Sequence, residues 1–282
     1  MVEAENSINF MPERRLRRFF TDFSIPQIGE KVSLTASETA HLQRTLRLKK
    51  GDSCLVTDGS GKEAEAVVAV FHSTGEAELT VRKILSPHKA PSSSISLFVY
   101  PALLQKGKLD DLVRQIQELG VDGFFPVETE RTIVKMEAQA KTRMAARWEK
   151  IVREAAKQSG SLISLKVREP LNLSEALRQI PVEDTVVVFH PDKSAIKFRE
   201  WVGSLCHPEE GQSPDEGSRS FAALRMTYKA CHLFFGPEGG FTEKEMALFE
   251  SKKTAKVRLV DTLLKADTAL LGVVAAVRFL FP

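Results

Sequence analysis

Cysteine is scarce in this chain, with Cys54, Cys206 and Cys231 the only three in 282 residues. They form no CxxC pair and no even framework, which excludes a disulfide scaffold and fits a reducing cytoplasm. Cys206-His207 and Cys231-His232 are adjacent pairs whose side chains point in different directions, unlike the ligand spacing of a zinc site, so no metal is expected. Long apolar runs are lacking too. The longest, Ala269 to Val277, is about half the length of a bilayer-spanning helix. No cationic-then-apolar signal segment opens the sequence, so a soluble cytoplasmic protein without membrane association is expected. The phosphate-binding motif GxxxxGK(S/T) is absent, as is a GxGxxG after the first α/β strand, and both absences argue against common nucleotide sites.

What is present divides into two styles of sequence. The first 88 residues are rich in short strands. "KVSLT" precedes Thr35-Ala36-Ser37-Glu38, a capping box opening a short helix through Leu46. "SCLVTDGSGKEAEAVVAVF" reads strand, turn, strand, with Asp58-Gly59 as the hairpin signal and Ala64, Ala66, Val68 and Val70 alternating. "EAELTVRKIL" is a further strand, so this part is expected to be a small β-barrel. The whole chain's net charge of +3 understates a local excess in this part: Pro12 to Lys50 holds nine Lys/Arg against four Asp/Glu. Arg14, Arg15, Arg17, Arg18, Arg44, Arg47, Lys49 and Lys50 are the candidate contacts to RNA, and a solvated charged face is the plainer alternative. "SPHKAPSSS" (86–94) is a Pro/Ser linker and the expected domain boundary.

From residue 89 strand and helix alternate. "ISLFVY" is a buried strand. In "LDDLVRQIQELG" Leu109, Leu112, Val113, Ile116 and Leu119 share a helical face that Gly120 ends. "VDGFFPV" is a strand, and Ala138 to Ser159 a long helix. Then come strand 163–167, helix 173–180, strand 185–189, helix 193–204, strand 232–235, helix 243–252, strand 256–260 and a helix from Asp267. This pattern specifies a parallel α/β sheet. Residues 206–230, polar and rich in Gly, Ser and Pro, exceed what a connection needs and read as a surface insertion.

Ligands of open α/β sheets bind at the carboxyl ends of strands. Three such ends carry unusual loops: His190-Pro191-Asp192, Gly236-Pro237-Glu238-Gly239-Gly240, and "DTLLKADTA" (261–269). The glycines free backbone N–H groups for a ligand, and Thr242 with Glu245 forms a capping box for the next helix. Glu238 opposes a phosphate reading, because two anions repel in a partly buried loop. It suits ribose hydroxyls, an amine or a developing cation; a tight turn in which Glu238 caps a helix reads equally well.

The stretches "FFGPEGGFTEKE" (234–245), "KGKLDDLVRQIQELGVDGFFPVETERTIVK" (106–135), "RWEKIVREAAKQSG" (147–160) and "LVDTLLKADTAL" (259–270), in this arrangement, resemble the RsmE family. Its members are bacterial methyltransferases for N3 of a uridine in small-subunit (16S) ribosomal RNA, within the SPOUT superfamily. The resemblance implies a C-terminal SPOUT α/β domain (89–282) with a trefoil knot, a PUA-like RNA-binding β-barrel (1–88), bound S-adenosyl-L-methionine and a homodimer. It assigns the cofactor to His190, Pro191, Phe235, Gly236, Pro237, Glu238, Gly239, Gly240, Leu259, Val260, Leu264, Thr268 and Ala269. Arg131, Glu238 and Asp267 become the candidates for catalytic contacts, with a salt bridge to Glu128 or Glu130 the alternative for Arg131. Departures are visible. Val260 stands where the family has glycine, Lys265 where it has arginine and Asp267 where it has glutamate. Lys157 and Ser161 change the long-helix motif, and Arg114-Gln115 replaces a Gln-Lys pair. The alternatives are an RNA-binding SPOUT-fold protein that has lost catalysis and a SPOUT enzyme with another RNA target.

Overall fold

The computed structural model describes residues 16–85, 95–104, 107–132, 136–208, 224–226, 230–252, 254–260, 262 and 264–281. Arg14, Arg15, the 86–94 linker and most of the 206–230 segment lie outside them. The chain divides into two compact units, Met1–His88 and Lys89–Pro282.

In the first unit β1 (Arg18–Phe20), β2 (Lys31–Leu34), β3 (Ser53–Thr57), β4 (Glu63–Phe71) and β5 (Ala77–Leu85) form one five-stranded sheet in the order β1-β3-β4-β5-β2. Alternation along β4 puts Ala64, Ala66 and Val68 inside with Phe19, Val32, Leu34, Val56, Leu79 and Val81. The two outer strands meet where Thr21 Oγ1 donates to Ser33 O at 2.8 Å, which curls the sheet toward a barrel. Between β2 and β3 runs α1 (Ala36–Ala40), followed by a single π turn, His41–Thr45. Thr35 caps α1 through Glu38 N, but the reciprocal half of the expected capping box does not form; Glu38 is buried instead. The basic stretch before residue 21, which carries no strand signal in the sequence, supplies β1.

The second unit is built on β6 (Ser96–Pro101), α2 (Lys108–Glu118), β7 (Gly123–Phe124), β8 (Val127–Glu128), α3 (Ala138–Ser159), β9 (Lys166–Val167), β10 (Leu171–Asn172), α4 (Leu173–Arg178), β11 (Thr185–Phe189), β12 (Ile196–Lys197) and α5 (Phe198–Ser204). It continues with β13 (Cys206–Pro208), β14 (Leu224–Met226), β15 (Ala230–Phe235), α6 (Glu243–Glu250), β16 (Ala255–Arg258) and α7 (Ala266–Leu280). Seven strands make the parallel sheet β12-β16-β11-β15-β6-β7-β9. The fold class read from the periodicity is borne out. Central β15 is buried along its length; Cys231, Leu233 and Phe235 enter the core shared with α2, α3, α5 and α7, while Phe234 joins the one covered by α4 and α6. Burial pushes the Cys231 and Cys54 thiols up to about 12, so neither is a reactive thiolate.

Helix α2 buries the apolar face read from sequence and closes with Gly120 at φ 71°. Helix α3 ends on Gly160 in the left-handed region and presents Trp148, fully buried, whose Nε1 donates to Asp110 of α2 at 3.1 Å. The C-terminal helix is pinned by Arg278. Its guanidinium donates to the carbonyls of Ile95 and Gly120 and to Asp122 Oδ2 at 2.7 Å, and Asp122 in turn accepts from Leu97 N at 2.8 Å.

Three expectations are corrected. "VDGFFPV" is not one strand: Phe125-Pro126 separates β7 from β8, which pairs with β10 instead. Residues 193–197 are not helical. Asp192 Oδ1 accepts from Ser194 N at 2.9 Å and Asp192 O from Ala195 N at 3.1 Å, a side-chain-stabilised turn that competes with helix formation and delays α5 to Phe198. Leu259 and Val260 have left β16.

Two outcomes test this packing. Arg278→Met removes the bonds to Ile95 O and Gly120 O and the ion pair with the partly exposed Asp122, and should lower unfolding stability by about 1–2 kcal/mol in urea denaturation. His232 is buried between Asp184, at 3.0 Å from Nε2, and the Tyr100 hydroxyl, at 2.9 Å from Nδ1. Burial drives its pKa down, against the opposing pull of Asp184. The folded state therefore disfavours the proton, so its stabilising contribution is complete above the ordinary histidine value of about 6.5 and is lost as pH falls through the folded value. The melting temperature measured between pH 8 and pH 5 should fall, with a shallower slope in His232→Gln.

Candidate active site

The parallel sheet delivers the three unusual loops to one edge. They enclose a cavity of about 470 Å³ at the carboxyl ends of β11, β15 and β16. His190 and Pro191, Phe235 with the whole Gly236–Gly240 loop, and Leu259, Val260, Leu264 and Ala269 line it, as does Arg131. Of the expected cofactor residues only Thr268 lies elsewhere. It lines a neighbouring cavity with Asp267, Lys108, Asp111 and Gln115. Helical geometry explains the split: Ala266 and Ala269 fall on one face of the first turn of α7, and Asp267 and Thr268 on the other.

The wall also contains residues that sequence reasoning missed: Phe189, Phe241, Val257, Arg258, Thr262, Lys265 and Ala266. Phe189 carried a readable signal as the last apolar position of the strand feeding its loop, whereas Val257 takes that place only because β16 ends at Arg258. Phe241 did not. It is buried against Phe249, with ring centroids 5.1 Å apart, and a Cβ placed on Gly236 would come within 3.2 Å of its ring. Gly240 turns the loop at φ 68°, where its N–H reaches Pro237 O at 2.8 Å; a side chain there is strained.

Glu238 is not a helix cap. The α6 N-terminus is capped by Thr242 and Glu245, reciprocally as the sequence indicated. Glu238 is half exposed and pairs with Lys108 Nζ at 3.2 Å. Its carboxyl is held below the usual range, first by its own backbone N–H and then by Lys108, with neighbouring Asp267 opposing. Arg131 makes neither of the salt bridges considered for it. Glu128 is taken by Lys141 at 2.7 Å, and Arg131 Nη1 instead donates to Gly239 O across the glycine loop.

His190 shows how the first loop is electrostatically set. Its Nδ1 accepts from Asp192 N at 3.3 Å, which places the proton of the neutral ring on Nε2. Burial and the nearby Lys256 push its pKa down, with Asp192 opposing. Asp192 is itself ion-paired to Lys256, which holds its carboxyl far below the usual range. The departures in the long helix are accommodated locally: Lys157 pairs with Glu154 at 3.0 Å, and Ser161 Oγ donates to Ile163 O at 2.9 Å. Among the described residues no group of three or more His, Cys, Asp or Glu is placed to hold a metal ion, and no helix is long and apolar enough to cross a membrane.

In the first unit Arg17, Arg44, Arg47, Lys49 and Lys50 are exposed. Arg47 adopts φ 55°, in the left-handed region, just after the π turn. Arg18 is half buried, and its Nε donates to Glu63, whose side chain is only 3% exposed.

The family described as "RNA methyltransferase domain" matches residues 91–278, and "RNA methyltransferase PUA domain" matches residues 34–80. A Synechocystis protein named ribosomal RNA small subunit methyltransferase E is 30% identical over 245 residues, spanning 86% of this chain and 71% of the relative. The chain belongs to this RNA methyltransferase family. A Bacillus subtilis member of the same name is 24% identical over 268 residues, 94% of this chain and 96% of its own. Among solved structures, a Neisseria gonorrhoeae ribosomal RNA small subunit methyltransferase E bound to S-adenosyl methionine has a TM-score of 0.72 at 25% identity, covering 94% of this chain and 98% of that one. The family matches put a PUA domain ahead of the methyltransferase domain, as the sequence resemblance implied.

The half-exposed Glu238 contributes little to folding, so Glu238→Gln should leave the melting temperature within about 2 °C of the parent, as expected for loss of an exposed ion pair. A large fall would show that the loop needs the carboxylate for its own stability.

Proposed function

We propose that this protein transfers the methyl group of S-adenosyl-L-methionine to N3 of a uridine in small-subunit ribosomal RNA. The observation that carries the reading is the cavity itself: three strand-end loops, an apolar floor, and a carboxylate in the glycine loop where a phosphate site would need positive charge. Its volume of about 470 Å³ lies within the range of small-ligand pockets. Phe189, Phe235, Val257 and Leu259 offer apolar surface to a purine, and the Gly236–Gly240 loop and Glu238 offer polar groups to ribose hydroxyls and the amine. The residues present therefore fit this cofactor, and none of the chemistry asks for a metal.

When bound, the sulfonium supplies a methyl already activated for transfer. The remaining work is approach, desolvation and the state of uracil N3. Arg131, projecting over the glycine loop, is suited to an RNA phosphate or a uracil oxygen. Glu238, at the cavity wall, is suited to a polar contact with the cofactor, and Asp267, which lines the neighbouring cavity, to one with the incoming base. The exposed cations of the first unit suit the ribosomal RNA backbone, whose neutralisation makes binding salt-dependent. A homodimer belongs to the same reading, supported by the outward face of α7, where Phe279 is 81% exposed. So do the knotted path of the last strands and a cytoplasmic location beside the ribosome.

Loss of catalysis through the changes at Val260, Lys157 and Ser161 is the other reading. Val260 is 48% exposed and the cavity it borders remains open, which favours retained binding.

Calorimetric titration with S-adenosyl-L-methionine and mass spectrometry of small-subunit RNA from a deletion strain test the proposal. Saturable binding is expected, weakened about tenfold in Glu238→Gln, equivalent to about 1.4 kcal/mol. N3-methyluridine should disappear from the deletion strain's small-subunit RNA. Absence of binding at millimolar cofactor would leave an RNA-binding protein without catalysis; persistence of the modification would redirect the enzyme to another RNA position.

A further inference from the structure

Glu245 lies 114 positions from Arg131 in sequence, yet the two belong to one hydrogen-bonded assembly. Glu245 is 4% exposed, and its carboxylate serves two loops at once. Oε2 accepts from Thr242 N at 2.8 Å, the return bond of the α6 capping box. Oε1 accepts from Glu130 N at 2.8 Å, in the turn that carries Arg131. That turn is braced internally: Thr132 N donates to Thr129 O at 3.1 Å, and the Thr129 and Thr132 hydroxyls lie 2.7 Å apart. Arg131 then crosses the glycine loop and donates to Gly239 O, with its Cδ so near that a Cβ on Gly239 would sit 3.3 Å away. A capping box needs only one oxygen of its glutamate. The second oxygen is spent on a segment far away in sequence.

We infer that Glu245 is a positioning residue for methyl transfer: it clamps the Thr129–Thr132 turn to the glycine loop and thereby holds Arg131 over the cavity. The inference deepens the proposed function and rests on that reading for Arg131's role toward RNA. Without the clamp the guanidinium is still present and still charged, but its backbone anchor is free, and misplacement by about an ångström is enough to cost a reaction much of its rate.

The test compares Glu245→Gln, Arg131→Ala, their double variant and Thr242→Ala in the full chain. Thr242→Ala weakens the same helix cap but leaves the bond to Glu130. Small ribosomal subunits from the deletion strain serve as substrate. Glu245→Gln should lower kcat/KM for the subunits about tenfold while the cofactor Kd changes less than about threefold, and the double variant should be no worse than Arg131→Ala, the non-additivity of groups acting as a unit. Thr242→Ala should lower the melting temperature comparably yet keep kcat/KM within about twofold, since it removes a cap and not the clamp. Hydrogen exchange supplies a readout independent of activity: amides 128–132 should exchange faster in Glu245→Gln and not in Thr242→Ala. Parental kcat/KM in Glu245→Gln, additive losses, or equal losses in Thr242→Ala would overturn the clamp, as would unchanged exchange in 128–132. If the parent protein methylates nothing while the exchange pattern holds, the proposed function fails and the clamp stands.

Discussion

Strand β15 hydrogen-bonds in parallel to β6 on one side and β11 on the other, and it is buried on both faces. That single constraint organises the second unit. A strand with no exposed face needs helices above and below it, which α2, α3, α5 and α7 supply on one side and α4 and α6 on the other. Parallel neighbours also release their chains at the same edge. The loops after β11, β15 and β16 therefore meet, although they are separated by tens of residues in sequence. The cavity follows from the direction of the strands before any residue in it is considered.

Around the cavity, charge is arranged so that two of the three loops are braced by other elements. Lys108 at the start of α2 meets Glu238, Lys256 on β16 meets Asp192, and Arg131 lies across Gly239. The exposed pairs among these add little to folding. Their effect is geometric: they limit where backbone groups point in loops whose glycines leave them otherwise free. The Arg278 anchor does comparable work at the far end of α7, fixing the helix whose first turn forms part of the cavity wall.

Much of this was legible in the residues. Period-two alternation in β4, the single apolar face of α2, the glycine end of α2 and the capping box of α6 are local signals, and each produced the element it indicated. The failures have local causes as well. Asp192 competes for backbone donors and removes five residues from a helix, and Phe125-Pro126 interrupts a strand that otherwise looked continuous. The strand β1 was hidden because the adjacent Arg17 and Arg18, one exposed and the other ion-paired to Glu63, masked the buried Phe19 and Phe20.

The sequence by itself determined the α/β class, the order of elements, the glycine loop and the family to which the chain belongs, because these depend on periodicity and short motifs within reach of neighbouring residues. Only the tertiary structure decided the partners. It turned Arg131 from a surface salt bridge to the carbonyl of Gly239, gave Glu238 a lysine in place of a helix end, placed Phe241 behind Gly236, and showed that Glu245 serves two loops. Those pairings depend on the register of parallel strands and on which helix face meets the sheet, and both are settled by burial across the whole domain and not by any local stretch.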